Sequence, residues 1–256
     1  MKVKNIKLFT EYERQFKRLF PGNNFVIISE NDGVRADFNI LQNGTLYDFA
    51  MHVKEEPNKR DYLVNVNIWN HKISDFTFEE SKTTGEMNVR NLISICRQMV
   101  YRLNMINSCA KAAKEALSNK AWLTKRNEDF DVLVKEGNHL DAFYKMYNIT
   151  ANKKPDLEQV KNTFLMFTAT GLVYQRYCGQ KATTNSYHLH HMVDNMWKNL
   201  LGQSVYENTI AVTAGYYLAM KFFGQDIDVK FDGTNFDIVM DEFNLDYIEI
   251  VGGGNK

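Results

Sequence analysis

The sequence predicts an α+β protein. An N-terminal helix, a four-stranded antiparallel meander and a long covering helix precede a mostly helical domain with a short acidic β ending. Three observations predict this fold. Apolar and polar residues alternate over 24–70, and apolar residues recur at spacings of three and four over 92–117. Glycines follow the later helical segments and close them. We expect three regions: an α-β4-α sheet domain at 1–119, a helical connector at 120–154, and a helical domain with the acidic β segment at 155–256.

Composition narrows the class of protein. The 256 residues include 31 basic and 31 acidic side chains, so the chain lacks the basic excess usual in polyanion-binding proteins. Cys96, Cys109 and Cys178 are far apart and form no CxxC, so neither a disulfide framework nor a cysteine zinc site is indicated. Frequent asparagine and only three prolines are typical of AT-rich genomes and indicate a viral or phage source.

The ends of the chain and its apolar runs indicate a location. Charges interrupt MKVKNIKLFTEYERQF before a signal peptide could form. The longest weakly polar run, 210–223, has about 14 residues, whereas a membrane helix needs about 20. We therefore expect a cytoplasmic protein, or a host-cytoplasmic one if viral, with no membrane partner.

Apolar residues at helical spacing over 6–20, closed by Pro21-Gly22, predict the first helix.

Turn residues predict the register of the meander. Asn43-Gly44 favours a two-residue type I′ turn, because both central residues of that turn need positive φ. The resulting pairs are Asn39 with Asp48, Phe38 with Phe49, and Val34 with Val53.

Two further connections complete the predicted meander. Asp32-Gly33 favours a hairpin that sets Glu30 opposite Arg35. At the longer loop around Pro57, we expect the register that keeps the apolar side chains of both strands on one face. The same register sets the opposite charges of Lys54 and Asp61 against each other.

The later part of the chain reads as helices. The apolar stripe from Leu92 to Leu117 predicts a long helix on the apolar face of the sheet. Residues 120–150 indicate several short helices. Three more helices are predicted, at 156–178 before Gly179, at 185–201 before Gly202 and at 203–223 before Gly224. Alternation returns from Gln225 to Val251, where eight acidic residues stand against one lysine.

The polar face of the meander is the first candidate site. Its members are Arg35, Asp37, Asn39, Asp48, His52, Lys54, Asn65, Asn67 and Trp69. A solvated sheet face is the plain interpretation of such a set, since antiparallel sheets often have one. Candidate catalytic residues on it are Asp37, Asp48, His52 and Lys54.

The run GVRADFNILQNGTLYDFAMHVKEE also resembles the core pattern of the PD-(D/E)xK nuclease family. Asp37 stands at the first acid of that pattern and Lys54 at its lysine, while His52 replaces the acid before the lysine. Gln98 and Tyr101 loosely resemble a further family motif, with spacing one residue short. The resemblance implies Mg²⁺-dependent cleavage of phosphodiesters, in which acids hold the metal and the lysine helps activate water.

Two weaker metal candidates lie further along the chain. The segment SYHLHHMVDNMW offers His188, His190, His191 and Asp194, but helical spacing collects no three of them on one face. Surface or capping histidines are the plainer interpretation.

The second is the run Ala214-Gly215, a spacer, then Asp226-Ile227-Asp228, which resembles the nucleotidyltransferase signature. In that signature, paired carboxylates hold two Mg²⁺. The first glycine is Ala214 here, and Gly215 falls in a predicted helix.

Basic and acidic side chains are unevenly distributed along the chain, and this bears on the kind of partner that the protein binds. Residues 1–200 hold 28 basic and 22 acidic side chains, and residues 201–256 hold 3 and 9. Such an acidic end occurs in single-strand-binding proteins, although here aromatic and aliphatic residues between the acids favour a folded acidic edge. Candidate nucleic-acid contacts are Arg35, Lys54, Trp69 and Arg97, supported by Tyr187 and the basic stretch 97–126.

We therefore expect a non-enzymatic binding or structural accessory protein that engages a protein partner or itself, or a nucleic acid. No cofactor is expected. The alternatives are the nuclease on the meander face, with Mg²⁺, and, more weakly, the nucleotidyltransferase-like enzyme at Asp226 and Asp228.

Overall fold

The computed structural model describes residues 14, 25–29, 33–42, 45–55, 62–69, 77–84, 89–171, 181–205 and 208–253. Side chains are described at 14, at 37 and, from 101 onward, at all of these positions except 103, 242 and 243. The chain forms two compact units, Met1–Asn104 and Met105–Lys256. The helix expected over 6–20 lies outside the described residues except for Arg14, which is helical.

The first unit contains an antiparallel sheet with strands in sequence order. The strands are β1 (Phe25–Ser29), β2 (Gly33–Gln42), β3 (Thr45–Glu55), β4 (Tyr62–Trp69) and β5 (Thr77–Thr84). The expected four-stranded meander is therefore wrong in its strand number. The added strand, β5, has the sequence TFEESKTT, which lacks the apolar alternation that identifies a half-buried strand. Charged residues are common on edge strands because they deter pairing with other chains.

The register of this sheet follows one expected turn and departs from two others. Phe38 pairs with Phe49, as a two-residue turn at Asn43-Gly44 predicts. Arg35 pairs with Ile28 rather than with Glu30. In the same way, Lys54 pairs with Leu63 rather than with Asp61. Each departure is two residues, and because strand positions alternate with period two, every position stays on the expected face.

The long helix α1 (Val89–Leu117) passes from one unit into the other. Four members of its predicted apolar stripe fall in the second unit and are buried: Ile106, Ala110, Ala113 and Leu117. The stripe is therefore shared between the units. Coverage of the sheet by the part of α1 before residue 104 stays a prediction. The boundary between the two compact units falls inside α1, and the expected divisions at 119 and 154 also stay predictions.

The second unit is mostly helical and has a small antiparallel sheet of three strands in the order β6-β8-β7. Its helices are α2 (Lys120–Asp131), a π-helical turn (Val132–Glu136), α3 (His139–Met146), a 3-10 turn (Ala151–Lys153), α4 (Leu157–Thr170), α5 (Ser186–Leu201), α6 (Thr209–Phe222) and α7 (Glu242–Gly252). Its strands are β6 (Lys181–Asn185), β7 (Asp228–Phe231) and β8 (Phe236–Asp241). The acidic β ending is thus a hairpin followed by a helix.

Asparagines and glycines set the ends of these helices. The side chains of Asn185 and Asn208 accept hydrogen bonds from backbone N–H groups in the first turns of α5 and α6, which satisfies donors that have no partner within the helix. Gly202 ends α5 with a positive φ of 68°, as expected from its position. Helix α4 ends at Gly171, eight residues before the expected Gly179, because φ there is 63°.

Helix α6 is the centre of the second unit. Every residue from Ala211 to Met220 is buried, so this helix is apolar on all sides and is surrounded by other elements. Rings from several elements meet beside it around Phe143, whose centroid lies 5.3 Å from that of Tyr217 and 5.8 Å from that of Phe236. Among the described residues, no helix is both long enough and apolar enough to span a bilayer.

Candidate functional site: a polar cleft beside the small sheet

A cleft of about 760 Å³ lies in the second unit, where the small sheet meets the ends of α6 and α7. Its volume is within the range of roughly 300–1,000 Å³ that small-ligand pockets have. The polar side chains that line it include Lys181, Tyr216, Asp226, Asp228, Asp241 and Asn244. Strands β6 and β8, helix α6, the segment before β7 and the first turn of α7 each supply at least one of these residues.

An ion pair crosses the sheet at one side of the cleft. Lys181 opens β6 and pairs in register with Asp241, the last residue of β8. The Lys181 Nζ lies 2.8 Å from Asp241 Oδ1; the carboxylate side chain is 9% exposed and the lysine side chain 60%. Asp241 also holds the N-cap position of α7, where the helix dipole favours a negative charge. The sheet and the helix together therefore place a largely buried carboxylate in the wall.

A tyrosine and an asparagine lie next to that carboxylate. Tyr216 is buried, and its pKa is raised because burial disfavours the phenolate and the charge of Asp241 adds to this, while a hydrogen bond from Asn244 acts in the opposite direction. The phenol therefore keeps its proton at neutral pH. Asn244 is only 4% exposed, and its Oδ1 has no hydrogen-bond partner among the described residues.

A buried acceptor without a donor is uncommon, because leaving one unpaired costs about 1–3 kcal/mol. Asn244 Oδ1 is such an acceptor; it has almost no accessible surface and therefore lies behind the lining of the cleft.

Two exposed aspartates lie at the mouth of the cleft. Asp226 binds the ammonium of Lys221, and that hydrogen bond lowers the pKa of the carboxyl. Asp228 opens β7 and has no ion-pair partner among the described residues. With Lys221 included, the carboxylates of Asp226, Asp228 and Asp241 outnumber the two ammonium groups, so the cleft has a net negative charge.

The predicted Asp226-x-Asp228 site is thus part of this cleft, but in a different form from the nucleotidyltransferase signature. Asp226 precedes β7, and only Asp228 lies in the strand. Gly215 lies inside α6, as expected, with its Cα against Val160 and Thr163 of α4. Within the described part of the chain, no group of three or more His, Cys, Asp or Glu side chains is arranged to hold a metal ion.

The histidine cluster on α5 is a packed group in which His190 is buried while Tyr187 and His191 are exposed. The rings of His190 and His191 lie 3.8 Å apart, with Tyr187 against both. Asp194 is occupied by hydrogen bonds from Lys198 Nζ at 2.7 Å and from the Val205 backbone N–H at 3.0 Å. This carboxylate ties the end of α5 to the segment that follows it.

His188 has a different neighbour from the other two histidines. Its Nε2 lies 3.8 Å from Glu249 Oε1 of α7. The three histidines therefore do not converge on one point, because His188 lies beside α7 while His190 and His191 pack against each other.

The pairing of β2 with β3 shows where the candidate residues of the first unit lie on the sheet. Asp37, whose side chain is half-buried, pairs with Ala50, which stands between Asp48 and His52 on β3. Lys54 is opposite Gly33, one strand position further along the same face.

The nucleic-acid candidates belong partly to that face. Arg35 pairs with His52, and Trp69 pairs with Asp48. Arg97 lies on α1. The sheet thus brings Arg35, Lys54 and Trp69 to alternate positions of one face, while Arg97 lies on a different element.

Four residues of the cleft escaped sequence reasoning: Lys181, Tyr216, Asp241 and Asn244. Strand β6 has the sequence KATTN, in which no apolar alternation is visible, and its partner β8 lies about 50 residues further on. The one local signal was Asp241, an N-cap residue just before a run with helical spacing. Comparison with protein-family models, curated proteins and solved structures finds no match for this chain.

Proposed function

We propose that the chain is a non-enzymatic binding protein and that the cleft beside the small sheet holds a group of its partner. The observation that carries this proposal is the cleft itself, a space of about 760 Å³ whose wall brings together Lys181, Tyr216 and Asp241 from three different elements. A pocket of this size with a few polar side chains converging on it is the usual form of a ligand site.

The charged groups of the cleft favour recognition over acid–base chemistry. The ammonium of Lys181 is held by Asp241, and that of Lys221 by Asp226. Burial raises the pKa of Tyr216, so its hydroxyl is a hydrogen-bonding group rather than a base at neutral pH. These groups are arranged to orient a ligand.

A protein partner suits the cleft better than a nucleic acid. The surrounding segment, Gln225 to Val251, has eight acidic residues and one lysine, and nucleic-acid sites are instead basic because they neutralise phosphates. The composition supports a cytoplasmic location, which becomes the host cytoplasm for a viral chain.

The test is a thermal-shift and calorimetry panel of cationic, neutral and anionic small molecules, run at fixed ionic strength. We expect at least one class to stabilise the full chain. The cleft variant is Asn244→Leu combined with Tyr216→Phe, which removes both partners of one hydrogen bond and so should leave the fold nearly as stable as the parent. Binding should be lost in this variant.

The control for that panel is Asn152→Leu, which changes an exposed asparagine outside the cleft. It should bind as the parent does. If no class binds the parent, or if the double variant binds as well as the parent, the cleft is not the binding site and the proposal fails.

A second candidate function is supported by the register of the first unit. Asp37 faces Ala50, and the two flanking positions of the same face are Asp48 and His52. Diagonal neighbours across antiparallel strands are about 7–8 Å apart, close enough for long side chains or a shared ion to connect them. This arrangement supports the metal-dependent nuclease, with Asp37 and Asp48 holding Mg²⁺, or a nucleic-acid-binding face without cleavage.

A further inference from the structure

The register of the first sheet places hydrogen-bonding residues all around one alanine, Ala50 of β3. Eight positions of the same face surround it and are here called the Ala50 ring: Asp37 and Asn67 beside it, Asn39, Asp48 and Trp69 in the row on one side, and Arg35, His52 and Asn65 in the row on the other. We propose that this ring binds the hydroxyl groups of a neutral saccharide, with Ala50 at the centre of the site. The site lies in the first unit and is separate from the cleft.

The residue types of the Ala50 ring are unusual for the strands that hold them. Strands β2, β3 and β4 are interior strands of the sheet, and five of the eight positions are asparagine or aspartate. Both residues are depleted in strands, because their short polar side chains compete for backbone hydrogen bonds. Departures from local propensity of this kind are expected at functional or strained sites.

The surroundings of the Ala50 ring distinguish it from a sheet face that is solvated throughout. Apolar residues of the same face adjoin it on three sides: Val26 and Ile28 on β1, Leu41 and Leu46 at one end, and Leu63 at the other. The fourth side is the polar edge strand β5. Polar residues are thus concentrated around one point within apolar surroundings, which is the usual composition of a ligand site.

The chemistry of the Ala50 ring favours a neutral ligand that is rich in hydroxyl groups. Its three amides each carry donors and an acceptor, its two carboxylates accept, and its guanidinium donates. A molecule with several neighbouring hydroxyl groups both donates and accepts, so it uses all of these partners. Two carboxylates against one guanidinium do not make the basic surface that a nucleic acid requires. Trp69 adds an aromatic ring, whose apolar surface suits the C–H groups of a sugar.

The spacing of the strands sets the size of the ligand. Three adjacent strands span about 10 Å, and three successive positions on one face of a strand span about 14 Å, which suits a mono- or disaccharide. Alanine has the shortest side chain of the nine positions, so Ala50 is where a bound group approaches the sheet most closely. Solvent reaches this face at Asp37, whose side chain is half-buried.

The test is a glycan array probed with the full chain, followed by calorimetry with the mono- or disaccharide that binds best. Ala50→Ile should weaken binding at least about tenfold, because the larger side chain occupies the centre of the ring. Isoleucine favours strands, so the sheet should be kept. Ser81→Ile is the matched control, since it places the same side chain on the same face but on β5, outside the ring. It should bind as the parent does.

A second variant tests hydrogen bonding separately from size. Asn67→Leu keeps the bulk of the side chain and removes its amide, so it should weaken binding about tenfold. Asn152→Leu, at an exposed position of the second unit, should leave binding unchanged. Affinity for a neutral saccharide should also be independent of salt concentration, whereas affinity for a nucleic acid falls with salt. Urea melts check that each variant is folded, and Asn67→Leu and the salt dependence decide the case if Ala50→Ile is not.

Several results would overturn the saccharide site. They are the absence of binding by every saccharide at about 10 mM, ten times a millimolar Kd, or equal affinities of the parent, Ala50→Ile and Asn67→Leu. Binding of Mg²⁺ or of oligonucleotides alone would assign the face to a metal or to a nucleic acid. The cleft variant that combines Asn244→Leu with Tyr216→Phe should bind the saccharide as the parent does. Loss of binding in that variant would place the saccharide in the cleft, whereas failure of the Ala50 ring leaves the proposed function of the cleft standing.

Discussion

Gly215 of α6 lies so close to Thr163 of α4 that a Cβ on the glycine would stand 2.5 Å from the Thr163 Cβ and 2.6 Å from the Val160 carbonyl oxygen. The backbones of the two helices therefore approach each other at this point. Since α6 is buried on all sides, the contact sets how closely the helices of the second unit can pack.

Gly215→Ala should destabilise the protein by about 1–3 kcal/mol, the usual cost of forcing extra volume into a packed core. This outweighs the gain of about 1 kcal/mol that alanine brings to a helix interior. Gly137→Ala is the control, because its nearest contact is the end of a flexible His139 side chain, which can move. Urea melts measure both; a Gly215→Ala protein as stable as the parent would show that the helices do not meet here.

Phe143→Ala should cost about 3–5 kcal/mol, because the ring is fully buried and its loss leaves a cavity. Met146, on the same helix, is 60% exposed, and Met146→Ala should change stability by less than about 0.5 kcal/mol. Chemical denaturation of both variants provides the comparison. Similar values for the two would contradict the placement of Phe143 at the centre of the aromatic cluster.

The stability of the protein should fall as the pH drops below about 6.5, in part because of His190. Burial lowers the pKa of this imidazole, the neighbouring His191 lowers it further, and the charge of Asp194 acts in the opposite direction. The folded protein therefore holds His190 neutral at a pH where the unfolded chain has already bound a proton. The stability that this neutrality contributes is present above pH 6.5 and is lost as the pH falls toward the folded pKa.

The measurement is the urea midpoint between pH 7.5 and pH 5, with the His190 pKa followed by NMR. His190→Gln should flatten this dependence. His191→Gln should raise the His190 pKa, because it removes a repelling charge. A His190 pKa at or above the ordinary value of 6.5 in the parent would contradict the burial of this ring.

The meander face makes a separate prediction about catalysis. We expect no metal-dependent cleavage of DNA or RNA, because His52 stands where the nuclease pattern needs an acid and hard cations want several oxygen ligands. The assay uses single- and double-stranded substrates with Mg²⁺ and Mn²⁺. Cleavage by the parent that Asp37→Ala and Lys54→Ala both abolish would establish the nuclease instead.

Binding without cleavage in that assay would have its own signature. Phosphate contacts release counterions, so affinity for the nucleic acid should fall steeply with salt concentration. Such behaviour would assign nucleic-acid binding to the sheet, and Arg35→Ala and Trp69→Ala would then be the variants to examine. Affinity that does not change with salt would argue against phosphate contacts.

The sequence predicted the register correctly at one of its two local turn signals. The Asn43-Gly44 turn predicted the pairing of Phe38 with Phe49, because a two-residue turn permits only one register. The Asp32-Gly33 signal was equally local, yet it missed by two residues, because Ser29 pairs with Val34 and the connection is longer than a two-residue turn. The loop around Pro57 missed by two residues as well, because a longer loop leaves the register to be guessed from charge pairs. Every strand position still lies on its expected face of the sheet, because the face depends on the apolar pattern and not on the length of the loop.

The cleft could not be predicted because its parts are remote from one another. Lys181 and Asp241 are 60 residues apart, and the five residues of β6 show no strand pattern. Of the polar residues of the cleft, the sequence pointed only to Asp226 and Asp228, because of their Asp-x-Asp spacing. Their role as the rim of a cleft depends on β8 lying between β6 and β7, which is a property of the whole unit.

The position of β8 has a consequence for how the protein is made. It is the strand with which both β6 and β7 pair, yet it follows both along the chain. On a ribosome that adds roughly 5–20 residues per second, β6 would wait a few seconds for its partner, because about 50 residues separate Asn185 from Phe236. During that interval the edge of β6 is open to other nascent chains. Slow codons within this stretch would lengthen the exposure, so expression yield should respond to translation speed there more than elsewhere in the gene.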